Sequence, residues 1–188
     1  HELAATELEK IAVNTKSGLQ IQAGLYQNTA QAWMRAGEQN LAFSALNKAI
    51  AIDNTNIPAL KDRAIMNASK SDFWNAIDDL NTIIDQDPNN ASVIILRASA
   101  YRHLGLNEIA LEGINLALSF DKNNVDALLE LALLKILEKK TQNAISIWER
   151  IIHLSPESLS GASAQLQLDN QEQISKAKSL NHYKLEQE

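Results

Sequence analysis

The sequence predicts an all-α protein: a right-handed α-solenoid of four stacked helix-turn-helix repeats with a capping helix at each end. Three observations carry that prediction. Pro88 and Pro156 each stand near the end of an apolar helical pattern, and each is followed by polar residues. Sliding the chain by half the separation of those prolines aligns Ala42, Ala76, Ala110 and Ala144, and likewise Ala30, Ala64, Ala98 and Ala132. The same shift aligns Leu46, Leu80, Ile114 and Trp148, then Ala49, Ile83, Ala117 and Ile151, then Asp53, Asp87, Asp121 and Ser155. The blocks 23–56, 57–90, 91–124 and 125–158 therefore follow one another without insertion or deletion.

Residues 1–22 do not share the register. Leu3, Leu8, Ile11 and Ala12 predict a short amphipathic helix, broken around Asn14–Gly18, that caps the first repeat. Each block then splits into two helical stretches, as Ala91–Leu104 and Asn107–Phe120 do around Gly105 and Leu106. A glycine there can take positive φ and end the first helix, as Gly37 does in the first block. In the second stretch Ala110, Ile114, Ala117 and Leu118 fall on one face. Alanines on that face let neighbouring backbones approach closely. Between blocks, the segments from Asp87 to Asn90 and from Asp121 to Asn124 supply side chains that satisfy free backbone groups. One such hairpin cannot bury its own apolar face, so about three or more must stack.

Residues 159–188 follow the last block. Leu159, Ala162 and Leu166 predict a second capping helix, packed on Trp148 and Ile152. Residues 169–188 are polar with a weak stripe of Ile174, Ala177 and Leu180. A frayed helix, a disordered tail and a segment lying in a groove all fit them.

The columns resemble the tetratricopeptide-repeat family over residues 23–158. That family has a large residue at the fourth position, small at the eighth and aromatic at the eleventh. Glycine is common at the fifteenth, alanine at the twentieth and twenty-seventh, proline at the thirty-second. The first block reads Tyr26, Ala30, Trp33, Gly37, Ala42, Ala49, and the third reads Ile94, Ala98, Tyr101, Gly105, Ala110, Ala117. Blocks two and four keep Ala64, Ala76, Pro88 and Ala132, Ala144, Pro156. They depart at the eleventh position (Asn67, Lys135) and the fifteenth (Ser71, Lys139), which leaves room for differently tuned hairpins. Turns such as Asp62-Arg63-Ala64 and Leu96-Arg97-Ala98 look like those of small bacterial members of the family, some of which are exported.

The resemblance implies that the first helix of every repeat lines a concave face receiving a peptide. Carried over position by position, that face comprises Gln27, Gln31, Met34 and Arg35, then Lys61, Ile65 and Ser69, then Ser92, Ile95, Ser99 and Arg102, and finally Asp126, Leu129, Leu133, Ile136 and Leu137. Its amino-terminal part is polar and weakly basic; its carboxy-terminal part is apolar. Each large apolar side chain withdrawn from water there gains about 1.5–3 kcal/mol, so a cover is expected. A partner's apolar or amphipathic segment, the chain's own 169–188 stretch or a second copy of the protein would each serve. The family's lysine–asparagine clamp for a chaperone's carboxy terminus is missing, because Gln27, Gln31, Asp62, Ser92 and Leu96 occupy its places.

Composition narrows the alternatives. The net charge is -6, from 17 basic and 23 acidic residues, with no basic cluster, which disfavours nucleic acid. Apolar runs such as Val93 to Leu96 fall far short of the ~20 residues that insertion into a membrane needs. There is no cysteine. No charged-then-apolar leader stands at the start, and localisation stays open between the cytoplasm and an exported or periplasmic site.

Chemistry has few footholds. His1, His103, His153 and His182 lack metal-ligand spacing, and no phosphate-binding or nucleophile motif occurs. Asp85, Asp87 and Asn89 open like a calcium loop, but Asn90 replaces the needed glycine and Leu96 the bidentate glutamate. Asn67-Ala68-Ser69 and Asn90-Ala91-Ser92 match the glycosylation pattern, at helix ends. Arg63 and Arg97 should form a ladder, each pairing with a carboxylate such as Asp62, Asp79 or Glu112, with anion recognition as the alternative use. The expected function is thus a non-enzymatic protein-interaction module without cofactor or metal. A self-associating assembly factor and an enzyme or small-molecule sensor are the alternatives.

Overall fold

Asparagine starts three of the helices. In a computed structural model, which describes residues 1–15 and 18–185 and side chains as far as Lys176, Asn56, Asn90 and Asn124 accept hydrogen bonds from the backbone N–H of Ala59, Val93 and Ala127 at 3.0, 3.3 and 3.0 Å. An N-cap of this kind satisfies a donor that has no partner inside the helix. Ser158, one repeat farther on, accepts from the backbone N–H of Gly161 at 2.9 Å.

Among the described residues all regular structure is helical. The helices are α1 (Glu2–Asn14), α2 (Leu19–Ala36), α3 (Gln39–Ile52), α4 (Ile57–Ser69), α5 (Phe73–Gln86), α6 (Ala91–His103), α7 (Asn107–Phe120), α8 (Val125–Leu137), α9 (Thr141–Leu154) and α10 (Leu159–Leu185). The starts of α4, α6, α8 and α10 are evenly spaced by one repeat period, and so are those of α3, α5, α7 and α9. Helix α2 begins at Leu19, one helical turn ahead of the register. Gln22 stands there in place of the capping asparagine, so the helix runs back to Gly18, whose φ is 64°.

The turn inside each hairpin is the same in all four blocks. Gly37, Ser71, Gly105 and Lys139 have φ of 84°, 62°, 76° and 60°. In each, the following N–H reaches back into the helix before it: Glu38 to Trp33, Asp72 to Asn67, Leu106 to Tyr101 and Lys140 to Lys135, at 3.0, 2.9, 2.9 and 2.8 Å. This is the left-handed C-terminal motif that glycine favours. Ser71 and Lys139 adopt it at a steric cost rather than building a different hairpin.

The chain forms two compact units, His1–Leu106 and Asn107–Glu188. In the first, α1 packs on α2, α2 on α3, α3 on α4, α4 on α5 and α5 on α6. One apolar cluster runs from Ala5 and Ala12 of α1 through Ala30, Trp33, Ala42 and Leu46 to Met66; another gathers Leu60, Ala64, Leu80, Ile83 and Val93. In the second unit Leu128, Ala132, Ala144, Trp148, Ile151 and Ala164 form the cluster shared by α8, α9 and α10. The aligned apolar columns of the four blocks are all at most 2% exposed.

The terminal helices turn differently from the sequence expectation. In α1, Ala5 and Ala12 are buried and Leu8 packs beside them, while Leu3 and Ile11 face out. In α10 the inward residues are Ser160, Gly161, Ala164 and Leu168, whereas Leu159 and Leu166 are exposed. Gly161 occupies the buried column of Ala59, Val93 and Ala127, so α10 enters as a fifth first-helix and Trp148 and Ile152 pack with it as expected. Residues 169–185 continue that helix. Ala177 and Leu180 of the weak stripe lie beyond the described side chains, as do Lys16, Ser17 and residues 186–188.

Candidate partner-binding surface

In the first unit the first helices α2, α4 and α6 are laced together by polar side chains. Gln27 and Gln31 of α2 both donate to the Asp62 carboxylate of α4, at 3.1 and 3.3 Å. Lys61 of α4 donates to the Ser92 hydroxyl of α6 at 3.4 Å. The two glutamines thus serve as inter-helix ties, and Gln27 is buried. Asp62 is their common acceptor, a role that no pattern of residue types announces.

The other positions divide by exposure. Arg35 and Ile65 are exposed, Met34, Lys61 and Ser99 are half-buried, and Arg102 donates to Ser99 at 3.5 Å beside the His103 ring. Ile95 is only 7% exposed, which withdraws it from the open surface expected for it. Its neighbours Val93 and Ile94 are buried too. An apolar run of four on one short helix cannot place every member on the same face.

In the second unit α8 supplies the apolar positions. Leu129 and Ile136 are half-buried against the Trp148 cluster, Leu133 is half-buried, and Leu137, next to Ile136, is 53% exposed. Ser160 of α10 hydrogen-bonds Asp126 at the start of α8, which pins α10 across one end of that helix. Farther along, Leu168, Gln171, Glu172 and Ser175 of α10 border a cleft with Ile145 and Glu149 of α9. The carboxy-terminal stretch therefore follows α9 over the residues whose side chains are described.

Charged groups mostly serve the scaffold. Arg63 grips the buried Asp79 carboxylate through Nε and a terminal nitrogen at 2.9 and 2.6 Å, and its other terminal nitrogen reaches Asn47 at 2.8 Å. Arg97 repeats the last contact one repeat later, to Asn81 at 2.7 Å. The arginine ladder exists, with asparagine as its recurring partner. Lys48 ties α3 to Glu9 of α1 at 2.8 Å, and that hydrogen bond raises its pKa despite some burial. At the end of α8 the hydrogen bonds from Lys140 and then Lys135 lower the pKa of Glu138. His103 stacks on Phe73 with ring centres 4.8 Å apart. Among the described residues no group of three or more histidine, aspartate or glutamate side chains converges to hold a metal, and no helix is long and apolar enough to cross a membrane.

No family sequence model and no curated protein sequence matches the chain. Solved structures do resemble it. A tetratricopeptide repeat protein from Parabacteroides merdae aligns with a TM-score of 0.74 and 19% identity, over 88% of this chain and 66% of its own. MamA from Desulfovibrio magneticus aligns with a TM-score of 0.71 and 16% identity, over 84% and 88%. Cut9, in its hetero-tetramer with Hcn1, aligns with a TM-score of 0.62 and 20% identity, over 76% and 29%. Repeat length, hairpin geometry and these likenesses agree: the chain has the tetratricopeptide-repeat fold.

Proposed function

We propose that the protein is a non-catalytic interaction module that holds an apolar or amphipathic segment of a partner protein against its first-helix faces. The observation that carries this reading is on α8, where half-buried Leu133 and exposed Leu137 lie beside Leu129 and Ile136; Ile65 of α4, in the repeat position of Leu133, is exposed as well, whereas α2 has Gln31 there. An accessible apolar strip on a rigid helix gains from being covered by another apolar surface. Arg35, Lys61 and Arg102 make the first-helix surface of the other unit weakly basic, which suits acidic groups on a partner. The hetero-tetramer of Cut9 with Hcn1 supports partner capture as a use to which this fold is put.

The test is affinity capture with intact protein and with Leu133→Glu, followed by mass spectrometry. Proteins lost on Leu133→Glu but retained on a charge placed at Leu116, an exposed residue of α7, are the partners this reading expects. Capture that is indifferent to residue 133 contradicts it. Helical circular dichroism confirms that the variants fold.

Self-association is the second reading. It is supported by α1 and α2, which expose Leu3, Val13, Leu19 and Ile21 at 85%, 60%, 68% and 58%. Light scattering decides: a mass that rises with concentration and falls on Leu19→Glu supports it, and a constant monomer mass removes it.

A further inference from the structure

The two terminal helices are halves of hairpins. Helix α1 stands where the second helix of a preceding repeat stands: it packs on α2, as α3, α5, α7 and α9 pack on the first helix that follows each of them. Ala12, one period before Leu46, is fully buried there, although the residue types of α1 do not follow the other columns. Helix α10 is a first helix, and its packing partners are α8 and α9. It passes Gln173, one period beyond the turn residue Lys139, without turning, and runs on to Leu185. Among the described residues, therefore, α1 has no first helix of its own repeat and α10 has no second helix of its own.

The faces left open are those that other hairpins close. Within a hairpin the alanine column of the first helix meets that of the second: Ala30 and Ala42, Ala64 and Ala76, Ala132 and Ala144 each share a cluster. At the two ends these columns hold Leu166 of α10, which is 59% exposed, and half-buried Leu8 of α1. Arg63 of α4 reaches Asp79 of α5 across its hairpin, and Ile11, in the Asp79 column, is 51% exposed. Both terminal helices are also extended. Helix α1 begins one turn ahead of the second-helix register, and α10 continues past the turn. In an antiparallel pair those extensions lie at the same end, with exposed Leu3 on one and exposed Ile174 on the other.

We propose that α10 of one copy packs antiparallel on α1 of the next copy, completing between two molecules the hairpin that recurs within each chain. This contact rests on the self-association reading and names the surfaces for it. Leucine at both alanine positions suits a contact between separate chains. Such helices must offset the entropy of association, which helices joined by a turn do not face, and larger apolar side chains remove more surface from water. Asp169 of α10 then lies toward the start of α1, whose first turn has no side-chain cap, so its negative charge meets the positive end of that helix. Glu7 and Lys10 of α1 pair with each other at 2.7 Å in the exposed columns of Leu41 and Ser44, outside the contact. Each copy contributes a different patch, so assembly does not stop at two.

The experiment is light scattering on the intact chain from about 10 μM to about 1 mM, on Ile11→Glu, on Leu166→Glu and on an equimolar mixture of the two variants. Wild type should grow past the dimer with a Kd of about 100 μM or tighter. Each variant carries a charge on one open face and keeps the other intact. Alone, each should stay monomeric; mixed, they should form one-to-one dimers that grow no further. Helical circular dichroism checks that both variants fold. Because the chain has no cysteine, Leu8→Cys mixed with Leu166→Cys reads the register directly. Disulfides joining unlike chains are expected; their absence, or disulfides between like chains only, contradicts the pairing. A wild type that is monomeric throughout overturns this contact and the self-association reading together. Association that persists in either variant alone, or a mixture that stays monomeric or grows past the dimer, overturns the contact and leaves self-association to another surface.

Discussion

Ser71 and Lys139 carry left-handed backbone that costs a residue with a Cβ about 1–2 kcal/mol. Ser71→Gly and Lys139→Gly should therefore each stabilise their own unit by about 1 kcal/mol, read from the midpoint of urea unfolding. Gly105→Ala should cost a similar amount, although open space surrounds the site, because the penalty is conformational. The periodicity placed these turns in the sequence; it did not reveal that two non-glycine residues share the glycine geometry. That outcome depends on the helices at either side, which the aligned alanines hold in one arrangement. Asp79 shows the same limit. It is buried because Arg63 spans two helices to meet it, a contact invisible to spacing along one helix. Asp79→Ala should cost about 3 kcal/mol, and Asn47→Ala about 1 kcal/mol, since Arg63 then keeps its carboxylate.

At the scale of single helices, α10 buries a different face from the one its large apolar residues suggest. Leu159 and Leu166 are large and apolar, yet the repeat register puts the small residues Ser160, Gly161 and Ala164 inward. A Cβ on Gly161 would strike the carbonyl oxygens of Ser155 and Pro156. Gly161→Ala should loosen α10 from the second unit at a cost of about 1–3 kcal/mol, seen as faster amide exchange in α10 and red-shifted Trp148 emission. Helix α1 is held partly by the Lys48–Glu9 pair, whose side chains are 45% and 35% exposed. Solvent screening limits that pair to about 0.5 kcal/mol. Because the Lys48 pKa is raised, the contribution is complete below 10.5 and disappears as pH climbs through the higher folded value. The stability difference between wild type and Lys48→Met should be constant from neutral pH up to 10.5 and shrink above it, as thermal unfolding at graded pH will show.

Across the whole molecule, the repeat period determines far more of the fold than of the working surface. The apolar columns that recur from block to block are buried, and burial is a demand made in common by every block. Surface positions answer to a partner instead, so they differ between blocks. Gln27 and Gln31 stand at the family's contact positions and tie helices together, and Ile95 stands at another and is buried, while Leu137 is exposed beside Leu133 as its position implies. The account rests on the α8 strip as the surface that meets a partner. The most direct measurement is photo-crosslinking from a benzoyl-phenylalanine placed at position 133, with position 116 of α7 as the control, in the presence of a captured partner. The account predicts a partner adduct from 133 and none from 116. Adducts from 116 alone, or equally from both, would contradict it.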